Sequence, residues 1–155
     1  MELQELVQAV QTLNAEDALR VRLNHDQWRT LASYLTQHEI RAGDLLIKQG
    51  DSDRTMYFLA HGTLQVFVSG GPPGARRIAI LRTGSVVGEP GIFDDGPRMA
   101  NVEAMTPCTV LALRGPRLVE MSQAQPALAL ELLRAAGGVM AVRMRANLAK
   151  QIPFS

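Results

Sequence analysis

The sequence predicts a mainly β protein flanked by helices. Three observations carry this. Between His38 and Leu113, short β-rich runs alternate with turn residues. Ahead of that stretch, apolar residues recur at helical spacing, and after Pro116 a helical pattern returns and continues to about Gln151. Many short strands at near-even spacing fit a sandwich or barrel.

The elements follow in order. Leu3, Leu6, Val7, Val10 and Leu13 place a helical stripe within residues 2–22. Asn24 with Gln27 three residues on forms a capping box, which opens a helix through Trp28, Leu31 and Leu35. Trp28 is read as a core anchor of that helix. The expected strands are Leu45 to Lys48, Met56 to Ala60, Thr63 to Ser69, Arg77 to Leu81, Asn101 to Met105 and Cys108 to Leu113. Glycine pairs such as Gly43-Asp44, Gly50-Asp51, His61-Gly62 and Thr83-Gly84 punctuate them. Gly70-Gly71-Pro72-Pro73-Gly74 is expected to be an exposed hairpin loop and lacks the Lys and Ser/Thr of a phosphate loop.

In the C-terminal helical region, Leu128, Leu132, Ala135, Val139, Val142 and Ala146 form a heptad-like seam. Leu133, Ala136, Met140, Met144 and Leu148 form a second stripe about 100° round the helix. One stripe can pack on the β core, and the other needs a partner, a ligand or a wider burial. Gly137-Gly138 interrupts this helix, either where another backbone approaches closely or where the helix hinges.

Composition narrows the function classes. With 155 residues, 46% hydrophobic and 20% charged, the chain has enough material for one folded core. Its 16 basic and 15 acidic residues nearly cancel, which argues against a domain held to nucleic acid by bulk charge. The single cysteine, Cys108, lies in a β-rich run and reads as a buried, inert thiol. With no internal disulfide, no signal-peptide pattern and no apolar run long enough for a bilayer, the expected location is cytoplasmic. His25, His38 and His61 show no zinc spacing, and Asp94-Asp95 reads as an exposed acidic turn, so no metal is expected. No nucleophile–base pair has local support, and the His-x-His cluster of a cupin-type metalloenzyme is absent, so the chain is not read as an enzyme.

The run Val87-Gly88-Glu89-Pro90-Gly91-Ile92-Phe93-Asp94-Asp95-Gly96-Pro97-Arg98-Met99-Ala100-Asn101-Val102 is the richest in chemistry. It sets a carboxylate and a guanidinium at the two ends of a glycine-bounded loop. Arg98 offers a planar fork of donors to phosphate oxygens, and Glu89 accepts from hydroxyls. Such a loop suits a small ligand that carries both a sugar hydroxyl and a phosphate. The alternative is that Glu89 and Arg98 form a structural ion pair with each other in an empty pocket.

Two separated motifs give the chain a resemblance to the cyclic nucleotide-binding domain family. The first is Leu46-Ile47-Lys48-Gln49-Gly50-Asp51, then Met56-Tyr57-Phe58-Leu59, then Gly62, similar to the family's glycine-bracketed hairpin. The second is the Val87–Val102 run, which resembles the family's phosphate-binding cassette. The resemblance spans about residues 24 to 150. It implies a jelly-roll barrel (a double-stranded β-helix) with leading helices and a long C-terminal helix. In this reading residues 1–23 are an N-terminal helical segment and 24–152 the binding domain, with the β core at about 38–113 and helices at about 115–151.

By resemblance, Glu89 takes the ribose 2′-hydroxyl and Arg98 the cyclic phosphate. Gly88, Gly91 and Ala100 stand where relatives supply further contacts, and amides at the start of a short cassette helix face the phosphate. Ile92 and Phe93 are expected to pack beneath the cassette. Pro90 departs from the usual aliphatic residue and is compatible with a first helical position. Met99 departs from the usual Ser, Thr or Ala, which argues against threonine-dependent selection of cGMP. Arg143 or Arg145 is the candidate to reach the base from the C-terminal helix.

The expected function is therefore a cytoplasmic sensor module for a cyclic nucleotide, cAMP foremost or cGMP. It is expected to be a homodimer through the helix from Pro126 to Gln151, signalling to an unidentified effector protein as that helix moves. Too few residues follow the helix for a helix-turn-helix, so no DNA-binding domain is expected. The alternative is a degenerate domain that binds no nucleotide and serves as a dimerisation or protein-interaction unit.

Overall fold

The computed structural model describes residues 1–70 and 76–149. The helix α1 spans Leu3–Thr12 and buries Leu6 and Val10. Helical spacing had extended to residue 22, but the helix stops at Thr12 and a turn closes with Ala18 N–H donating to Ala15 O. Asn14 and Asp17, residue types of low helix propensity, stand in this turn region. The segment beyond α1 runs as a strap to α2, His25–Ala32. There the capping box is complete: Asn24 Oδ1 accepts from Gln27 N–H at 2.8 Å, and Gln27 Oε1 accepts from Asn24 N–H at 2.9 Å.

Eight strands follow among the described residues: β1 Thr36–Ile40, β2 Leu45–Ile47, β3 Thr55–His61, β4 Leu64–Val68, β5 Arg76–Leu81, β6 Val86–Val87, β7 Asn101–Ala104 and β8 Cys108–Arg114. They form two four-stranded antiparallel sheets, ordered β1-β8-β3-β6 and β2-β7-β4-β5. This is the jelly-roll architecture that the resemblance implies. Two strands escaped the sequence reading. Most of β1 is polar and exposed because it pairs with β8 at the edge of its sheet, and β6 is only two residues long. Residues 71–74 of the expected hairpin loop lie outside the described residues, as does the expected helix end at Gln151.

Side-chain alternation along β3 and β8 divides the core. Met56, Phe58, Leu111 and Leu113 join a cluster with Leu6, Trp28, Leu31 and the C-terminal helices. Leu59, Cys108 and Val110 point the other way, into a second cluster between the sheets with Ile47, Leu64, Val66 and Val102. Strands buried on both faces read as continuous apolar runs, which is why these two were visible in the sequence.

After β8 come α3, Gly115–Ala124, and α4, Pro126–Ala149. Leu128, Leu132, Ala135 and Val139 of the first α4 stripe are buried in the helix-side cluster. In the second stripe Ala136 is buried, whereas Met144 and Leu148 are exposed, as is Leu130 nearby. Gly137 and Gly138 are helical, and a Cβ added at either meets nothing within 4 Å. Close approach of another backbone within the chain therefore does not explain them.

Candidate functional site

Strand β6 delivers the chain into the glycine-bounded loop. Gly88 follows it with φ +78°, and an added Cβ would lie 2.8 Å from the Thr55 carbonyl oxygen. Only glycine fits both the left-handed conformation and the close approach. Glu89–Ile92 then forms a single 3₁₀ turn with Pro90 near its start. The Gly91 N–H of this short helical turn is already spent on the Gly88 carbonyl at 3.0 Å. At Gly91 an added Cβ would lie 2.7 Å from Arg98 Nη1 and 2.8 Å from the Asp53 carbonyl oxygen.

Arg98 closes the loop and is buried, at 8% exposure. Its Nη1 donates to Gly88 O at 2.9 Å and its Nη2 to Thr55 O at 2.6 Å. The Asp53 carboxylate lies 3.5 Å from Nη2. Arg98 Nε is buried without an acceptor. Backbone bonds from Arg98 N–H to Asp51 O and from Gly50 N–H to Arg98 O, at 2.7 and 2.8 Å, join the two sequence motifs around this residue.

Glu89 is fully buried, at 0% exposure. Its Oε1 accepts from Arg143 Nη1 of α4 at 2.7 Å, and its Oε2 has no partner. Burial pushes the carboxyl above its ordinary value, and the Arg143 charge opposes that rise. Arg143 also donates from Nε to Asp17 at 2.9 Å and from Nη2 to Val86 O at 2.8 Å. One guanidinium thus ties α4 to the cassette, to β6 and to the N-terminal strap. Glu89 and Arg98 have separate partners, so the alternative of a mutual ion pair is not what forms.

Beside the loop lies a cavity of about 180 Å³. Gly88, Gly91, Arg98, Met99 and Ala100 are on its wall, and Met140 of α4 joins them. Ile92 is buried as expected, but Phe93 is 44% exposed and lines the cavity instead of packing beneath the turn. Met99 is 53% exposed on the same wall. Glu89 is not on the wall and lies behind the turn. The two arginines expected at the base are elsewhere: Arg143 is engaged by Glu89 and Asp17, and Arg145 is exposed in a separate concavity with Glu16 and Arg20. Neither is on the cavity wall, to which the phase of α4 turns Met140.

The sequence reading missed Asp17, Asp53 and the Thr55 carbonyl, and it had Met140 only as one member of an α4 stripe. Asp53 had a local signal in its place just after Gly50-Asp51. Asp17 had none, because it meets Arg143 across 126 residues. Elsewhere, Asp95 pairs with Arg54 at 3.0 Å, and Cys108 is a buried free thiol. Among the described residues, no three His, Cys, Asp or Glu side chains cluster to hold a metal, and no helix is long and apolar enough to cross a membrane.

The family model of the cyclic nucleotide-binding domain matches residues 37–125. The chain is 27% identical over 96 residues to the cAMP-activated global transcriptional regulator CRP of Salmonella typhimurium, covering 61% of this chain and 46% of that protein. It is 37% identical over 82 residues to the human cyclic nucleotide-gated channel beta-3, covering 51% of this chain and 10% of the channel. It therefore spans under half the length of these relatives. A crystal structure of a cyclic nucleotide-binding domain from Methylobacillus flagellatus KT superposes with a TM-score of 0.83 at 20% identity, covering 96% of this chain and 81% of that one. With both sequence motifs folded around one arginine and the family model covering more than half of the residues, the chain belongs to the cyclic nucleotide-binding domain family.

Proposed function

We propose that the chain is a non-enzymatic, cytoplasmic sensor module that binds a cyclic nucleotide, cAMP foremost and cGMP second, in the cassette cavity. The observation that carries this reading is Arg98: a buried cation on the cavity wall, framed by two glycines where no Cβ fits, with one donor unpartnered. A buried charge without full compensation favours an anionic ligand. A relative described as cAMP-activated supports cAMP over other cyclic nucleotides.

In this reading Arg98 takes the cyclic phosphate while Gly88, Gly91 and Ala100 let the ligand approach the backbone. Glu89 lies behind the turn and off the wall, so it takes the ribose hydroxyl as the turn moves on binding. Its Oε1 already holds Arg143 and its Oε2 has no partner, so a hydroxyl on Oε2 shares the carboxylate with α4. Occupancy then shifts α4 by the difference in ligand affinity between its two positions. The exposed Leu130, Met144 and Leu148 on α4 support a homodimer seam that passes the shift to a second copy and an effector.

Calorimetric titration with cAMP and cGMP tests the proposal. Binding is expected, with Arg98→Ala weakening it by about 1.5–3 kcal/mol, the worth of a charge-assisted hydrogen bond. A melting curve of the ligand-free variant checks that it remains folded. No heat with either nucleotide defeats the sensor reading. That result supports the degenerate interaction module, which the internal partners of both Arg98 and Glu89 favour.

A further inference from the structure

Residues 98–102 run antiparallel to residues 47–51, but not as a regular ladder. Ile47 pairs with Val102, and Arg98 N–H donates to Asp51 O at 2.7 Å, so Gln49 falls opposite Ala100. Hydrogen-bonded pairs alternate along an antiparallel ladder, which would send the Gln49 N–H to the Ala100 carbonyl. It goes instead to Asn101 Oδ1 at 3.0 Å. Ala100 is on the cavity wall, and Met99 beside it is exposed. Asn101 is buried, at 6% exposure, and its carboxamide is fully engaged. Its Nδ2 donates to Ser69 Oγ at 3.0 Å and to Gln49 Oε1 at 3.3 Å. Ser69 fixes Gln49 in turn: Ser69 N–H donates to Gln49 Oε1 at 2.8 Å, and Gln49 Nε2 donates to Ser69 O at 3.2 Å.

On the reading that this cavity takes a cyclic phosphate, we propose that Asn101 is a positioning residue for Arg98, acting through Gln49 and Ser69. The turn Gln49-Gly50-Asp51 holds the Arg98 backbone from both sides, with Gly50 N–H donating to Arg98 O at 2.8 Å and Asp51 O accepting from Arg98 N–H. Asn101 pins the first residue of that turn, and Ser69, just beyond the end of β4, pins Asn101. The guanidinium has its own supports at the Gly88 and Thr55 carbonyls. With backbone and guanidinium both fixed, an anion meets a preorganised cation, which lowers the ordering cost of binding. Without the Asn101 carboxamide, the Gln49 N–H loses its acceptor and the turn beneath Arg98 loosens.

A double-mutant cycle with cAMP and an NMR measurement on the ligand-free protein test this. Asn101→Ala should weaken cAMP binding by about three- to tenfold, the worth of one net hydrogen bond. In an Arg98→Ala background the same change should cost nothing further, because its effect runs through Arg98. In the protein without ligand, the resonance of the buried Arg98 Nε–H should move in Asn101→Ala while that of Arg143 stays. Gln49→Ala removes the amide partner of Asn101, should act in the same direction, and decides the test if Asn101→Ala does not fold. Melting curves check the folding of each variant. Equal losses with and without Arg98, or an unmoved Arg98 resonance, would overturn the proposal. If the wild type binds no cAMP at saturating concentration, the cyclic nucleotide reading fails, and the Arg98 resonance alone then decides the positioning role.

Discussion

Glu89 Oε1 and Arg143 Nη1 meet at 2.7 Å, joining the cassette to the long C-terminal helix. The carboxylate is fully buried, and the Arg143 side chain is 14% exposed. The second oxygen of Glu89 is unpartnered, so the carboxylate keeps capacity for another donor. Asp17 holds Arg143 from the other side, and Arg134 and Glu131 bind the Arg20 carbonyl and the Arg22 N–H of the same strap. The strap thus binds α4 at Glu131, Arg134 and Arg143, the last of which also reaches the cassette.

The raised Glu89 pKa has a direction in stability. A carboxyl whose folded pKa lies above its unfolded value of 4.5 keeps its proton longer in the folded state. Its contribution is full below that value and is lost as pH rises through the folded pKa. Glu131 acts oppositely: held at about 2 by Arg134 and the Arg22 N–H, it contributes stability that is lost only in acid. In the window above about pH 4.5 the Glu131 contribution is already complete, whereas that of Glu89 is still being lost. Urea unfolding across this window should show a decline in stability that Glu89→Gln flattens; identical pH profiles for the two proteins would refute the assignment.

Arg143→Met leaves a buried carboxylate without its cation. Removing one partner of a buried pair costs about 3–5 kcal/mol, and protonation of Glu89 recovers part of this at low pH. Denaturant midpoints should show a large loss at neutral pH and a smaller one near pH 4.5. Asp17→Asn, which keeps the Glu89 contact, should lose less. Equal losses in the two variants would show that the cassette contact is not the dominant one.

Glycines separate by location. Gly88→Ala and Gly91→Ala each drive a Cβ within 2.8 Å of a backbone carbonyl oxygen, with left-handed strain added at Gly88. Each should destabilise the fold by about 1–3 kcal/mol. Gly137→Ala and Gly138→Ala meet open space in a helix and should stabilise it by about 0.8–1 kcal/mol each. Thermal melts of the four variants check the contrast. If the two helix variants also leave nucleotide affinity and hydrogen exchange in α4 unchanged, the glycines are not a hinge.

What the sequence made legible follows the range of each interaction. The capping box at Asn24 and Gln27 is local, and it formed as read. The apolar runs of β3 and β8 were visible because both faces are buried. Polar β1 gave no such signal, since its place depends on pairing with β8 far along the chain. The cassette glycines announced a tight loop, and the structure supplies their close contacts. The partners of its charged groups were not legible: Glu89 meets Arg143 across 54 residues, and Arg98 meets Thr55 O across 43. Which side of α4 faces the cavity also depends on its packing, and the α4 residue on the wall is Met140.

The central claim is that the cavity beside Arg98 is the seat of a cyclic phosphate. Co-crystallisation with cAMP tests it most directly. The account predicts electron density for the nucleotide in that cavity, with a phosphate oxygen within hydrogen-bond distance of the Arg98 guanidinium. A cavity without nucleotide density at saturating cAMP, or a phosphate bound away from Arg98, would contradict it.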